Sequence, residues 1–249
     1  MFGVPLFACT ATAIAAYTIN LTYLSILYHR GVTHKAVTLS PVARWLVVNT
    51  GFWMTGIDPK AWACVHRLHH EHSDGPGDPH SPHQAGVLGV LRAQIAAYEQ
   101  ALRGLIVGRP RARRAVEDLE FAVHPMLVRG FWFAPYLLHA GVAVVLSALS
   151  PVWLVGPCYY VGLMSHPLQG WMVNALGHAK GYRNYEIADE SRNNLLVAWL
   201  VAGEGFQNNH HFAPGSPKFS ARWFEIDPGY GLCRLLRFAG LLSFPRPEV

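Results

Sequence analysis

Charge is missing from two long stretches of this chain. Residues 1–29 and 130–179 contain no Lys, Arg, Asp or Glu, so all 20 basic and all 15 acidic residues fall within 30–129 and 180–249. The net charge of +5 is therefore a property of particular loops, and no nucleic-acid partner is expected. It matches apolar membrane segments whose basic loops stay on the cytoplasmic side. Cysteine is also scarce. Cys9, Cys64, Cys158 and Cys233 are widely spaced and form no CxxC pair, which excludes a disulfide framework and a cysteine metal site. Internal repeats, low-complexity tracts and a second soluble domain are absent as well.

What the chain has in excess is apolar surface and histidine. Apolar residues make up 51% of its 249 positions, high for a soluble protein. Phe2 to Tyr28 is uncharged and mainly apolar, long enough to cross a hydrocarbon core of roughly 30 Å at about 1.5 Å per residue. No positive region precedes it and the run is long, so a cleaved signal peptide is not expected. Two further apolar segments, 131–149 and 152–176, are separated by Ser150-Pro151 and read as a transmembrane hairpin. The expected architecture is all-α and a single domain. Spans lie at about 2–28, 131–149 and 152–176, and the polar stretches 29–130 and 177–249 share the cytoplasmic side.

Between the spans, residues 41–57 are too short for a crossing and read as a buried or interfacial helix. A helix is expected from Trp62 through His72, a Pro- and Gly-rich loop over 74–83, and an amphipathic helix over 86–108. The basic run 109–114 reads as a solvated or headgroup-facing segment.

Seven of the 14 histidines gather in three motifs: H29-R-G-V-T-H34, H66-R-L-H-H70 and G203-E-G-F-Q-N-N-H-H211. His66, His69 and His70 stand at i, i+3 and i+4, and so share one helix face. Gln207, His210 and His211 repeat that spacing with glutamine in the leading place, and Asn174 with His178 forms another i, i+4 pair. His29 and His34, five apart, would point about 140° away from each other on a continuous α-helix. A helix stop at Gly31 is therefore expected, so that both rings can converge. Neutral imidazole is a common ligand for iron, zinc and copper, and eight such rings are too many for one four-coordinate zinc. Two metals are the natural reading. His139 and His166, alone within apolar segments, read as packing residues.

These motifs, with W62-A-C-V-H-R-L-H-H70, D78-P-H80, W171-M-V-N-A-L-G-H178 and G181-Y-R-N-Y185, resemble the integral-membrane fatty-acid desaturases in the same order. The best match is the acyl-CoA delta-9 (stearoyl-CoA) type, over roughly residues 20 to 212. The resemblance implies a mushroom-shaped helical fold whose cytosolic cap holds two non-haem iron ions. His29, His34, His66, His69, His70, His178, His210 and His211 would be ligands, with Asn174 holding one iron through a water. The family places a ninth histidine where this chain has Gln207, whose amide oxygen is a weaker and harder ligand. The family also has two spans before its first motif, where this sequence has room for one.

The implied activity is O2- and two-electron-dependent removal of two hydrogens from a long acyl chain, on CoA, a carrier protein or a lipid, giving a cis double bond. Trp62, Trp171, Tyr182 and Tyr185 are the candidates for substrate contacts. No segment suited to carrying electrons is evident, so a separate donor is expected, such as a ferredoxin or a cytochrome b5-like protein. Hydroxylation or acetylenation of the chain is the alternative outcome at the same metals. A non-catalytic membrane metal-binding or transport protein is the remote one, for which the apolar segments offer only His139 and His166.

Overall fold

The computed structural model describes residues 3–245, so Phe2, where the first apolar run begins, and residues 246–249 lie outside the described residues. Fourteen α-helices and two π-helical segments appear among them, and the only strands among the described residues form a two-residue antiparallel pair. α1 (Gly3–Leu21) runs without a break into a π-helix, Thr22–Thr33. α2 (Pro41–Thr55), α3 (Pro59–His72), α4 (Pro82–Ala85), α5 (Val90–Val107), α6 (Pro110–Ala115) and α7 (Pro125–Val128) follow. Then come α8 (Ala134–Leu149), α9 (Val155–Leu163), α10 (His166–Trp171), a second π segment (Met172–Leu176) and α11 (Gly177–Ala179). The chain closes with α12 (Leu195–Leu200), α13 (Gln207–Phe212) and α14 (Pro228–Phe238). β1 (Thr38–Leu39) pairs with β2 (Leu242–Ser243), which ties the end of the chain to the exit of the first helix.

Local chemistry explains where the site-bearing helices begin. Asp58 accepts hydrogen bonds from the backbone N–H groups of Lys60 and Ala61 at 2.9 Å each, and Pro59 fills the first helical position, where its missing N–H costs nothing. Ser40 and Pro41 start α2 the same way, and Gly56 ends it at φ 73°, a conformation glycine adopts without strain.

The expected stop at Gly31 does not occur. The π-helix carries the chain straight through Gly31, and the N–H of His34 donates to the carbonyl of His29 at 3.1 Å. An i→i+5 ladder places residues five apart nearly above one another, so the helix is rewound rather than broken.

The third apolar stretch also departs from the continuous span expected over 152–176. Its helix ends at Leu163 and restarts at His166 with Pro167 in the first turn. Proline cannot continue the ladder of the preceding helix. One helix, Pro5–Thr33, is long and apolar enough to cross a membrane among the described residues, and α8 is a shorter apolar helix.

The main core lies where the π-helix crosses α2, α3, α5 and α6. Leu27, Tyr28 and Val32 pack there against Val47, Ala63, Cys64, Ala97 and Val116. α1 packs closely along α9. A Cβ at Gly162 would lie 2.7 Å from the carbonyl oxygen of Ala13, so only glycine permits that approach. Charge is buried once on a large scale: the Arg30 guanidinium is fully enclosed, 2.7 Å from Glu204, 3.3 Å from Asp227 and 3.7 Å above the Phe219 ring.

Candidate metal centre

Five histidines bring one ring nitrogen each to a common point: His29 from the π-helix and His34 at its C-cap, His66 and His70 from α3, and His210 from α13. Their Nε2 atoms lie 3.0 Å apart for His29–His210, 2.9 Å for His34–His66, and 3.0 Å for both His66–His70 and His70–His210. A second group joins His69, His178 and His211, with ligand atoms within 4.8 Å of one another. The two groups adjoin, since His70 stacks on His211 with ring centroids 4.2 Å apart. All eight histidines of the sequence motifs are thus gathered, although they come from four separate elements.

Carboxylates decide which nitrogen of several rings faces inward. The Nδ1–H of His29 donates to Glu204 at 2.6 Å, that of His69 to Asp78 at 2.9 Å, that of His178 to Asp74 at 2.8 Å and that of His211 to Asp189 at 2.8 Å. Each bond leaves a lone pair on Nε2. Such carboxylate–histidine pairs orient metal-ligating rings and raise their basicity.

The Nε2 atoms of His69, His178 and His211 are buried and have no hydrogen-bond partner among the described residues. Buried polar atoms are normally paired, so three orphaned lone pairs aimed together form a donor set suited to a metal ion. The five-nitrogen group makes the same point by repulsion. Lone pairs cannot share a 3 Å contact without a proton or a cation between them. Burial, reinforced by the neighbouring imidazoles, holds His66, His70, His210 and His211 well below the usual histidine range, so these rings resist protonation.

Gln207 is buried on α13, its amide nitrogen donating to the carbonyl of Glu204 at 2.7 Å. Its Cγ packs so near Gly177 that a Cβ there would approach within 2.6 Å. The Asn174 amide donates to Gln94 at 3.3 Å and lines the adjoining cavity.

That cavity, about 530 Å³, reaches His29 and His66. Its walls are mainly apolar, with Leu21, Leu24, Val65, Ile95, Val173 and Val201 among them. Trp62 lines it and stacks on His66 at 5.0 Å with 7° between the ring planes. The other three aromatic candidates are not among its lining residues. The Trp171 indole N–H donates to the carbonyl of Val87, Tyr182 donates to Glu225, and Tyr185 stacks on Phe212.

The family model for fatty acid desaturases matches residues 4–227. The chain belongs to the fatty acid desaturase family. Members of this family are oxidoreductases acting on acyl chains. The chain is 28% identical over 216 residues to an acyl-CoA 5-desaturase of Anemone leveillei, covering 87% of this chain and 64% of that protein. It is 30% identical over 247 residues to a hex-5-enoyl-[acyl-carrier protein] acetylenase of Moorena producens, covering 92% and 74% respectively. An sn-1 stearoyl-lipid 9-desaturase of Anabaena variabilis is 28% identical over 219 residues, covering 87% and 75%. The chain therefore spans 64% of the length of the first of these relatives.

Helical spacing pointed to the imidazoles but missed Asp74, Asp78, Asp189 and Glu204. Asp74, Asp78 and Glu204 stand beside or within the histidine motifs in a chain with few acidic residues, and that adjacency was the one available signal. Only Asp78 pairs with a ring of its own neighbouring motif, whereas Asp74, Asp189 and Glu204 act across the fold. His139, expected as packing, has both ring nitrogens paired, with Tyr159 at 2.7 Å and the carbonyl of Trp53 at 2.9 Å. Of the orienting carboxylates, Asp189 offers the cleanest test. Asp189→Asn should weaken metal retention by about 10–100-fold, measured as metal remaining per protein after timed exposure to a chelator. Wild-type retention would refute that role for Asp189.

Proposed function

We propose that this protein is a membrane diiron acyl desaturase that introduces a cis double bond into a chain held in the cavity. The observation behind this reading is the convergence of eight imidazoles, five of them buried, beside an apolar cavity that His29 and His66 line and that is large enough for an acyl chain. Drug-sized and lipid-like ligands occupy cavities of roughly 300–1,000 Å³. His29, His34, His66, His70 and His210 would hold one iron, and His69, His178 and His211 the other. Asn174 would reach the second centre through a water, and Gln207 would offer its oxygen.

With O2 and two electrons, bound iron supplies the oxidising power needed to take hydrogens from an unactivated methylene. The residues of this chain do the rest. Glu204, Asp78, Asp74 and Asp189 hold the ring tautomers. Leu21, Leu24, Val65 and Val201 exclude water and confine the chain. Trp62, stacked on His66, sets how closely a methylene approaches that ring. The helix Pro5–Thr33 would cross the membrane, with α8 and α9 as an apolar hairpin and the histidines at the cytoplasmic end. Electrons would come from a separate ferredoxin- or cytochrome b5-like donor.

The second reading is acetylenation of a carrier-linked chain at the same site, favoured by the similarity to the acetylenase of Moorena producens. Expression in a host lacking its own desaturase, with iron, oxygen and donor supplied, separates the two by mass spectrometry. New cis-unsaturated chains are expected, and the position of their double bond tests delta-9 selectivity. Products carrying only a triple bond or a hydroxyl, or unchanged lipids, would overturn the desaturase reading. The same profile for Gln207→His shows whether the glutamine steers the outcome.

A further inference from the structure

Two of the four cysteines meet where α1 packs on α9. A Cβ at Gly162 would lie 2.7 Å from the carbonyl oxygen of Ala13 and 3.0 Å from the Cβ of Ala16, so this glycine lets the two backbones come almost into contact. Cys158 stands one turn before Gly162 on α9, and Cys9 one turn before Ala13 on α1. Helices lying side by side in the same direction bring positions one turn back from a close contact into register. The Cys158 thiol has the Cys9 thiol as its hydrogen-bond partner. No CxxC spacing announces the pair, because the two residues come from separate apolar segments.

Elsewhere these helices are joined by bonds that need no chemistry. At the other end of α1, the Asn20 amide donates to the carbonyl of Leu163 at 2.7 Å, and its oxygen accepts from the Gln169 amide at 2.9 Å. The thiol pair is a joint of another kind, one that a covalent bond can close.

Packing accounts for the remaining cysteines but not for these. Cys64 and Cys233 are fully buried in separate apolar clusters, where each serves as a small hydrophobe. Cys9 and Cys158 are both partly exposed, and each lies within the first two turns of its helix. Reaction of a thiol depends on access to it. Two accessible thiols in contact need only an electron acceptor to join.

We propose that Cys9 and Cys158 form a redox-responsive disulfide that fastens α1 to α9. The step is a thiol–disulfide exchange with a small disulfide of the glutathione type. One cysteine attacks it and releases the first glutathione thiol. Its neighbour then displaces the second, so that one disulfide and two thiols exist before and after. The bond closes a loop over more than half of the chain, and restraint of the unfolded state grows with loop length. The inference needs no metal and stands apart from the desaturase reading.

The test uses the full-length chain in lipid nanodiscs, reduced, desalted and titrated with glutathione disulfide. Wild-type protein should release two glutathiones per chain. After denaturation, two of its four thiols should remain open to alkylation, and proteolysis without reductant should give a peptide pair joining Cys9 to Cys158. Its thermal midpoint should rise by roughly 5–10 °C and fall back on reduction. Cys9→Ser and Cys158→Ser should each release no second glutathione and show no rise.

Four alkylatable thiols in the treated wild type would overturn the proposal. A lasting glutathione adduct on either cysteine without the internal bond would do so too, since the sulfurs would then be held too far apart to exchange. A cross-link between two chains in place of the internal one would also overturn it. None of these readouts requires turnover or bound metal, so failure of the desaturase reading would leave the outcome unaffected.

Discussion

His70→Ala is expected to abolish product formation altogether and to release metal from the five-histidine group. No other ring is placed so centrally. Its Nε2 is 3.0 Å from that of His66 and 3.0 Å from that of His210, and its face lies 4.2 Å from His211 of the neighbouring group. Alanine removes one donor, opens the contact between the two groups and takes away the one Nε2 that stands 3.0 Å from those of both His66 and His210. Metal analysis together with acyl-chain profiling in a desaturase-free host checks the expectation. Wild-type metal content with full product would rule out a ligand role for His70. Because His70 is half-buried, with its ring on the site side of α3, folding should survive the change better than at His69 or His210.

Glu204→Ala should have the largest effect on stability. Glu204 receives the Nδ1–H of His29 at 2.6 Å, Nη1–H of Arg30 at 2.7 Å and the hydroxyl of Ser25 at 2.5 Å. Burial alone would raise its pKa, but His29 and Arg30 outweigh that and hold it below the ordinary carboxylate range. The stabilisation is thus fully present above the ordinary carboxylate pKa and is lost as pH falls through the depressed folded value. Removing one partner of a buried ion pair costs about 3–5 kcal/mol, because the other charge is stranded. Asp227, 3.3 Å from Arg30, remains as a second counter-charge, so the lower end, about 3 kcal/mol, is expected. Chemical unfolding monitored by circular dichroism measures the loss. An unchanged unfolding midpoint would mean that Asp227 alone satisfies Arg30.

The two experiments separate two roles of one arrangement. Imidazoles with lone pairs turned inward give the site its chemistry, whereas the carboxylates behind them hold the rings against the repulsion of packing so many together. His29 belongs to both, with Nε2 in the five-nitrogen group and Nδ1 on the Glu204–Arg30 network. A change at Glu204 is therefore expected to reach metal retention as well as folding.

The helical character and the gathering of the eight histidines were legible in the sequence. Charge-free stretches and the i, i+3, i+4 spacing of His66, His69 and His70 are local signals, and side chains one turn apart share a face wherever the helix ends up. The pairing of His29 with His34 was legible only as a problem. Nothing in H29-R-G-V-T-H34 distinguishes a helix stopped at Gly31 from one rewound into a π-helix, because the difference is settled by what packs against it. Leu27, Tyr28 and Val32 meet α2 and α3 on one side, and Arg30 meets Glu204 on the other.

Sequence by itself determined which histidines the candidate centre draws on, their grouping on α3 and α13, and the apolar segments around them, since each depends on residues within a turn or two of one another. Tertiary structure alone decided the rest. It brought Asp74 to His178, Asp189 to His211 and Glu204 to His29, and it set Cys158 against Cys9 where α1 packs on α9. Those contacts join residues that only the packed fold makes neighbours, and no local spacing encodes them.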